Sequence, residues 1–233
     1  MSAAGAYKIE DQRRMMRAKN YFAWQARMVK REIGKRVIEV GCGIGNLTGE
    51  LLDREAVIAL DADPACVDIL RSRYPGVTAL AREVGRDRIA DLESFQPDSC
   101  LFVNVLEHIE NERKAIADAR EVLVDGGSVV LLVPAFQSLY GPIDRNLGHF
   151  HRYDRPAIHR LAASADLMVE KLRFVNIVGF FGWWTNAHFF KREAQSETQI
   201  ELFDRYIVPW VSRMEDVIHP PFGQSLFAVL RKR

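Results

Sequence analysis

The sequence predicts an α/β fold in which helices cover both faces of a mainly parallel β-sheet. Short apolar segments, suited to strands buried on both faces, alternate with longer segments of helical periodicity, and short connections join them. The chain has 233 residues, of which 48% are hydrophobic, so it can bury the core of one sizeable domain but not those of two ordinary ones. A turn with three glycines follows the first predicted strand, and such a turn lets a ligand approach the backbone closely.

Residues 1–33 are predicted to form a helical cap before the first strand. From Ile9 onward, apolar side chains recur on one side of a segment that is otherwise rich in charge, and Tyr21 and Trp24 are among them. The simplest role of this cap is to pack on the domain.

Residues 36–52 are predicted to form a buried strand, a glycine turn and the start of a helix. Gly41, Gly43 and Gly45 carry no Cβ, so the backbone can pass close beneath a small molecule. Glu39, beside the turn, would repel a pyrophosphate and attract a cationic group. The turn therefore predicts a site for a small molecule that carries positive charge rather than for a dinucleotide.

A second short strand is predicted at residues 57–60, directly before Asp61. Asp61 follows the glycine turn at close to the spacing of about 20 residues at which a carboxylate meets ribose hydroxyls in doubly wound nucleotide-binding folds. Asp63 precedes Pro64, a pair typical of a helix start, so Asp63 is either the N-cap of that helix or a second carboxylate that faces the ligand.

Three further strands continue the alternation, at residues 77–80, 99–105 and 128–133. Asn104 falls at the carboxyl end of the middle one, where ligands bind in open α/β sheets. Glu107 and His108 are predicted to open the following helix, and a structural role stays open for both side chains. The remaining predicted elements are helices at residues 64–74, 111–124, 155–165 and 200–217, the last with Pro209 as a point where it can break, and strands at residues 168–177 and 225–230.

The sequence EVGCGIGN at residues 39–46, the acidic Asp61 and the sequence NVLEHI at residues 104–109 occur in the order and at the spacing of three motifs of one enzyme family. In these motifs the chain resembles the class I S-adenosylmethionine (SAM) dependent methyltransferases, and the resemblance covers roughly residues 21–133. It implies a Rossmann-like, seven-stranded sheet with an antiparallel last strand, SAM as the cofactor, S-adenosylhomocysteine as the product, and an aromatic side chain of the cap that closes over the cofactor. The cofactor-binding residues that the resemblance implies are Tyr21, Glu39, Gly41, Gly43, Gly45, Asn46, Asp61, Ala62, Asp63, Glu83, Val84, Asn104 and Val105.

Residues 134–156 form a long segment without periodicity, and structureless loops of this length inside a compact domain are usually functional. The segment leaves the carboxyl end of the fifth strand, so we expect it beside the transferred methyl group. Methyl transfer needs a nucleophile held about 3 to 3.5 Å from the methyl carbon, and a proton acceptor when the nucleophile is a hydroxyl or a protonated amine. His149 and His151 would point in opposite directions on an extended chain, so we expect only one of them to reach the site. We assign the role of proton acceptor to His149; the alternative is a purely structural role for the histidine cluster.

Substrate contacts are predicted on the same segment and on the aromatic stretch that follows it. Residues 174–190 carry no formal charge if His188 is neutral, and the stretch is too short and too often interrupted for a membrane span. It can form core packing, an aromatic lining for the substrate or, as a minor alternative, a patch for a lipid substrate. The predicted substrate-binding residues are Tyr140, Arg152, Tyr153, Trp183, Trp184 and Asn186. Asp144 is a secondary candidate, either for substrate anchoring or for pinning the loop.

Composition narrows the partners and the compartment. The 32 lysine and arginine residues nearly balance the 31 acidic residues, so the overall charge does not favour nucleic acid. The three cysteines form no CxxC pair, which favours a reducing compartment and argues against a structural zinc site, and we assign no metal ligands. Charged residues stand where a signal peptide needs an apolar run, so a cytoplasmic protein is expected.

These observations predict one methyltransferase domain over residues 1–233. The expected reaction transfers a methyl group to an oxygen or nitrogen atom, less readily to carbon, of a small aromatic or apolar metabolite. Two alternatives stay open: an NAD(P)-dependent oxidoreductase, which Glu39 and Asn46 disfavour, and a protein that binds SAM without turnover. A homodimer is compatible with the sequence. The predicted parts are the cap at 1–33, the SAM-binding core at 34–133, the substrate-side loops and helices at 134–223 and the last strand at 224–233.

Overall fold

The sheet is the centre of the computed structural model, which describes residues 3–192, 194 and 196–233, with side chains from residue 9 onward. Its strands are β1 (Arg36–Val40), β2 (Ala56–Asp61), β3 (Thr78–Ala81), β4 (Ser99–Val103), β5 (Ser128–Pro134), β6 (Leu167–Val175) and β7 (Ser225–Lys232). The strand order is β3-β2-β1-β4-β5-β7-β6, and β7 runs antiparallel to both of its neighbours while the other pairs are parallel. The predicted fold class, including the antiparallel last strand, is confirmed.

The α-helices of the described residues pack on both faces of this sheet. Alternate residues of each strand point to opposite faces, so Val37 and Leu101 pack with the helices Lys19–Lys30 and Val208–Glu215, whereas Ile38 and Phe102 pack with the helices Glu112–Val122 and Arg155–Ser164. The helices are α1 (Ala3–Met15), α2 (Lys19–Lys30), α3 (Pro64–Arg73), α4 (Glu112–Val122), α5 (Pro142–Leu147), α6 (Arg155–Ser164), α7 (Ile177–Thr185), α8 (Glu197–Leu202) and α9 (Val208–Glu215). None of the helices in the described part of the chain has the length and apolar character needed to cross a bilayer.

The carboxyl ends of β1, β2 and β4 meet at one edge of the sheet. Val40 pairs with Leu60 on one side and with Phe102 on the other, so the three strands end level with one another. The chain order reverses between β1 and β4, which is the position where open α/β sheets leave a crevice for a ligand. This topology brings the glycine turn, Asp61 and Asn104 together.

The prediction of a helix directly after the glycine turn is wrong, because only a short 3₁₀-helix, Thr48–Leu51, forms there. The Thr48 hydroxyl donates a hydrogen bond to the Glu39 carboxylate at 2.6 Å and holds this segment against β1. Gly49 packs so closely that an added Cβ would lie 2.3 Å from the Tyr74 hydroxyl oxygen. Glycine also lowers helix propensity, so the segment packs as a tight turn instead of continuing as a helix.

Residues 134–156 contain regular structure, and the prediction of a structureless loop is wrong. A 3₁₀-helix, Gln137–Leu139, is followed by α5, which has proline in its first turn and ends at Gly148 with φ 78°. The α5 helix has six residues, fewer than two turns, and is too short for hydrophobic periodicity to reveal.

The helix predicted at residues 200–217, with Pro209 as a candidate break, forms as one helical run over residues 197–215 that changes its hydrogen-bonding pattern along its length. The chain forms α8, a wider π-helical turn at Phe203–Ile207, and then α9. Pro209 lies in the first turn of α9 and has no backbone N–H, so a continuous ladder of helical hydrogen bonds cannot pass through it.

Candidate active site

A cavity of about 580 Å³ opens at the sheet edge where β1, β2 and β4 end. Its volume lies in the range of about 300 to 1,000 Å³ that is typical of small-molecule sites. The floor is the glycine turn, the N-terminal cap covers one side, and residues from 147–152 and α7 cover another. Two parts of its lining carry most of the chemistry, and we call them the glycine end (residues 41–46 with Glu39 and Asp61) and the polar corner (Glu107, His108 and His149).

The glycine end is shaped by backbone conformation. The N–H groups of Gly41 and Cys42 both donate to the carbonyl oxygen of Leu60, at 2.7 and 3.0 Å, and tie the turn to the end of β2. Gly41, Gly43 and Gly45 have φ angles of 73°, 54° and 84°, which side chains with a Cβ adopt rarely. A Cβ at Gly41 would lie 2.2 Å from Val105 Cγ2, so the close approach of the turn to the β4 loop requires glycine.

Asp61 fixes the other side of the same turn. Its carboxylate accepts hydrogen bonds from the N–H of Gly43 at 2.8 Å and from the N–H of Asp63 at 2.9 Å, and Asp61 lines the cavity. The side chain of Asp63 accepts from the N–H of Ala65 at 2.9 Å and caps α3. Asp63 therefore caps α3 and also lines the cavity, whereas Asp61 both holds the turn and lines the cavity.

Glu39 is a buried acid beside the glycine turn, and only 3% of its surface is exposed. Burial raises its pKa to about 7; the hydrogen bond from Thr48 opposes this rise, and the nearby Asp61 carboxylate adds to it. A cationic group in the cavity would compensate the buried negative charge and favour the ionised form.

The N-terminal cap closes one side of the glycine end. The side-chain oxygen of Gln12, on α1, accepts a hydrogen bond from the N–H of Ile44 at 2.8 Å. The backbone carbonyl of Gln12 accepts from the side-chain amide of Asn46 at 2.9 Å. Asn46 lines the cavity, but Arg73 donates to its side-chain oxygen Oδ1 at 3.2 Å, so both the oxygen and the nitrogen of its side-chain amide contact protein. The contribution of α1 to the cavity was not predicted, because no sequence pattern before the first strand indicates that Gln12 contacts the glycine turn.

Tyr21 and Trp24, the two aromatic candidates of the cap, have different positions. Tyr21 lines the cavity, and the buried Asp204 side chain accepts its backbone N–H at 2.8 Å, which fixes the start of α2. Trp24 is fully buried in the core between α2 and the sheet. Of the pair, the structure brings only Tyr21 to the ligand side.

The loops after β2, β3 and β4 complete the cofactor side of the lining. Ala62, Glu83, Val84 and Val105 all line the cavity, as the resemblance implies. Asn104 also lines it and has a φ of 51°, a left-handed conformation that is uncommon outside glycine and recurs at ligand-binding positions.

The polar corner is built from the segment that follows β4 and the segment that follows α5. Glu107 and His108 belong to a 3₁₀-helix, Leu106–His108, and not to α4, which begins after its N-cap Asn111. Glu107 is 1% exposed, and burial raises its pKa to about 7 while the nearby His149 opposes the rise. The rings of His108 and His149 meet edge to face with their centroids 4.6 Å apart.

His149 is held in place by Asp144. The His149 Nδ1 atom and Asp144 Oδ1 are 2.8 Å apart, and the Asp144 carboxylate also accepts from Arg152 Nε at 2.9 Å and from the N–H of Gly141 at 2.9 Å. Burial alone would raise the pKa of Asp144, but its bonds with His149 and the charge of Arg152 hold that pKa below its usual value. A charged, fully buried Asp144 therefore fixes the orientation of the imidazole, whose Nε2 lies 4.0 Å from Glu107 Oε1.

The other predicted substrate residues separate into two groups. Arg152 and Trp183 line the cavity, and Trp183 also contacts Asp144, with Nε1 3.4 Å from Oδ2. The rest make other contacts: Tyr140 donates to the carbonyl of His149, the buried Tyr153 donates to Glu112, Trp184 is exposed beside His188, and Asn186 bonds to Arg192. His151 also bonds to Glu112, at 3.1 Å, and is not part of the polar corner.

Glu107 and His108 were not predicted as site residues, and Asp144 was predicted only as a secondary candidate for substrate anchoring or for pinning the loop, not as the partner of His149. Glu107 and His108 lie within the motif NVLEHI, which was the one available signal. Asp144 precedes His149 by five residues across the end of α5, a spacing with no helical or strand period.

Comparisons with known proteins agree with this geometry. Residues 7–172 match a family model described as a methyltransferase domain. The trans-aconitate 2-methyltransferase of Methylobacterium nodulans is 29% identical over 156 residues, which are 65% of this chain and 56% of that protein. The ubiquinone biosynthesis O-methyltransferase of Nitrosococcus oceani is 29% identical over 99 residues, 41% of this chain and 42% of that protein. The chain spans 32 to 56% of the length of three of the curated relatives it matches.

Among solved structures, the fold is similar to that of the N-methyltransferase NodS from Bradyrhizobium japonicum, crystallised with S-adenosylhomocysteine. The TM-score is 0.53 at 14% identity, over 96% of this chain and 87% of that one. At this identity the likeness supports the fold.

Proposed function

Because the chain belongs to the class I SAM-dependent methyltransferase family, we propose that it transfers a methyl group from SAM to an oxygen or nitrogen atom of a small molecule. One observation carries the proposal: a single cavity joins the glycine end to a buried polar corner that contains His149. The glycine end suits the cofactor, and the polar corner suits the group that receives the methyl.

The residues of the glycine end fit SAM. The turn has three glycines with positive φ, and a Cβ at Gly41 would clash with Val105, so the backbone is shaped for close approach. Glu39 has the charge that an ammonium and a sulfonium require, and Asp61 is the proposed contact of the ribose hydroxyls. When bound, SAM supplies an electrophilic methyl group on a sulfonium centre, and its leaving thioether is neutral and needs no general acid.

The polar corner is the proposed position of the methyl acceptor. His149 faces the cavity with Nε2, while Asp144 holds Nδ1, so the ring is fixed in one orientation. His149 Nε2 takes the proton that a hydroxyl or a protonated amine loses as it is methylated. Asp144 stabilises the protonated ring because it keeps its own negative charge in a buried position.

Small, partly aromatic acceptors suit the lining. Tyr21, Phe22 and Trp183 contribute aromatic surface, and Arg152 is engaged with Asp144, so it is not a free partner for an acidic substrate. Oxygen and nitrogen both remain in the proposal, since one relative is named an O-methyltransferase and one structural neighbour an N-methyltransferase.

Thermal unfolding with separate ligands tests the cofactor. S-adenosylhomocysteine at a hundred times its dissociation constant should stabilise the protein by about 2.7 kcal/mol, whereas NAD should not. The Asp61→Asn variant should bind S-adenosylhomocysteine about 10- to 100-fold more weakly, because the ribose hydroxyls then donate to a neutral acceptor in place of a charged one. Asp68→Asn is the matched control, because this exposed aspartate of α3 pairs with Arg71 outside the cavity, and it should bind like the wild type.

Stabilisation by NAD and not by S-adenosylhomocysteine would refute the proposal and favour the oxidoreductase alternative. Binding of SAM without turnover on hydroxyl and amine acceptors of this size class would favour the alternative of a SAM-binding protein that is not an enzyme.

A further inference from the structure

We propose that the polar corner formed by Glu107, His108 and His149 binds a divalent transition-metal ion. The binding of the ion stands on the geometry of this chain alone. Its task in methyl transfer rests on the proposed function.

The three side chains present donor atoms to one point. One carboxylate oxygen of Glu107 and one ring nitrogen from each histidine lie within 4.8 Å of one another. His149 Nε2 and Glu107 Oε1 are 4.0 Å apart, which is too far for a hydrogen bond. Ligand atoms around a tetrahedral ion are about 3.3 Å apart, given bonds of about 2.0 to 2.2 Å, so small side-chain rotations would bring these donors into a coordination sphere.

A second observation also indicates a ligand at this point. Glu107 is 1% exposed, and its Oε2 atom has no hydrogen-bond partner among the described residues. Buried carboxylates are normally paired or bound to a metal, because desolvation penalises an isolated negative charge. A cation between Glu107 and the two imidazoles would compensate that charge.

The surroundings of His149 resemble those of a metal ligand. Metal-binding histidines usually donate the N–H of the second ring nitrogen to a carboxylate, which fixes the tautomer and directs the other nitrogen at the ion. Asp144 provides this contact, 2.8 Å from His149 Nδ1, and is itself fixed by Arg152 and by the N–H of Gly141. His149 is therefore held with Nε2 on the side of Glu107.

The donor set favours a transition metal over magnesium or calcium. Two imidazoles and one carboxylate form a ligand set found at catalytic zinc sites and at non-haem iron(II) sites, whereas magnesium and calcium prefer oxygen ligands. Glu107, His108 and His149 all line the cavity, so a further coordination position would face the methyl acceptor.

An ion at this position would select a hydroxyl acceptor over an ammonium, which it would repel. A hydroxyl bound to a divalent ion loses its proton to solvent more readily. The resulting oxygen attacks the methyl carbon; the O–C bond forms, the C–S bond breaks, and the electron pair stays on sulfur, which becomes a neutral thioether. His149 then acts as a ligand and no longer as the proton acceptor, and this is the one change to the proposed function.

Calorimetry with zinc alone tests the site. The full chain, stripped with a chelator and without SAM or acceptor, should bind zinc saturably with a stoichiometry near one. Glu107→Gln and His149→Ala should each weaken zinc binding by about 10- to 100-fold or more. His151→Ala is the matched control, because this neighbouring histidine bonds to Glu112 outside the polar corner, and it should bind zinc like the wild type. In the cobalt-loaded protein, the visible spectrum of bound cobalt should be lost in Glu107→Gln and kept in His151→Ala.

Circular dichroism and S-adenosylhomocysteine binding identify any variant that fails to fold. No saturable zinc binding, or equal binding by Glu107→Gln and the wild type, would overturn the cation proposal. If the same protein then still binds S-adenosylhomocysteine and methylates acceptors in the presence of chelator, the proposed function stands with His149 as the proton acceptor. Zinc binding at the polar corner without S-adenosylhomocysteine binding would support the ion site and refute the proposed function instead.

Discussion

The two ends of the cavity are built in different ways. The glycine end depends on backbone conformation within one short connection, where Gly41 and Cys42 bond to the carbonyl of Leu60 and Gly43 bonds to Asp61. The polar corner depends on side chains from segments far apart in the sequence, since Glu107 and His108 follow β4 whereas His149 and its partner Asp144 lie beyond β5. A backbone N–H joins these two segments, because Phe150 donates to the carbonyl of Glu107 at 2.8 Å.

The difference decides what substitution does at each end. A backbone-built site fails when a conformation becomes strained, even if no functional group is removed. A side-chain-built site fails when one functional group is removed, and the fold persists. Three substitutions test this contrast, two of them with matched controls on the same chain.

Gly41→Ala should have the largest effect. Gly41 has a φ of 73°, and a Cβ there would lie 2.2 Å from Val105 Cγ2. Backbone strain and overpacking together should lower the free energy of unfolding by about 2 to 6 kcal/mol. S-adenosylhomocysteine binding should be lost. Urea unfolding measures the first effect and calorimetry measures the second.

Gly76→Ala is the control for this substitution. A Cβ at Gly76 would have no heavy atom within 4 Å, and its φ lies outside the positive range, so stability should stay within about 0.5 kcal/mol of the wild type. Unchanged ligand affinity in Gly41→Ala would break the comparison, because the glycine end would then not depend on backbone shape.

The sheet and the glycine end could be predicted because their signals are local. Buried strands such as β5 are continuous apolar runs, and positive φ at three alternate positions requires the glycines that the sequence displays. The capping of α3 by Asp63 was one of two predicted alternatives for the same reason, since an acid before proline is a local pattern.

The acceptor side could not be predicted to the same degree. Residue type and spacing did not distinguish His149 from His151; tertiary contacts with Asp144 and Glu112 separate them. Tyr153 was predicted as a substrate-binding residue because it is a polar aromatic side chain in the same segment, yet it is buried and donates to Glu112. The α5 helix that carries Asp144 is shorter than two turns and has no readable period.

His149→Ala should have the second largest effect, and it should act on turnover alone. Loss of the ring removes Nε2, whether that atom accepts a proton or binds an ion, so turnover should fall by about 100-fold or more. This ring contacts Asp144, Glu107 and His108, which are not part of the glycine end, so S-adenosylhomocysteine affinity should remain close to that of the wild type. Steady-state rates and calorimetry measure the two quantities, and His151→Ala is again the control.

A wild-type rate in His149→Ala would remove the residue from the mechanism. A parallel loss of turnover and cofactor affinity would instead mean that the two ends are not separate.

The smallest expected effect is a pH dependence at the glycine end that comes from Glu39. Burial raises the pKa of Glu39 to about 7, so the carboxyl keeps its proton below that pH and carries its charge only above it. The ammonium of S-adenosylhomocysteine should favour the ionised form, and affinity should therefore increase from pH 6 to pH 8 by up to about tenfold. Calorimetry at the two pH values measures this increase.

Glu39→Gln separates this effect from other titrating groups. The variant keeps an acceptor for the Thr48 hydroxyl, and any pH dependence that comes from the ligand's own ammonium is the same in both proteins. Only the part of the pH dependence that comes from Glu39 should therefore disappear. The variant should bind more weakly than the wild type at pH 8 and about equally at pH 6, because the wild-type side chain is then mostly neutral. An identical pH profile in both proteins would mean that Glu39 does not sense the ligand's charge. The glycine end would then act through backbone shape and Asp61 alone.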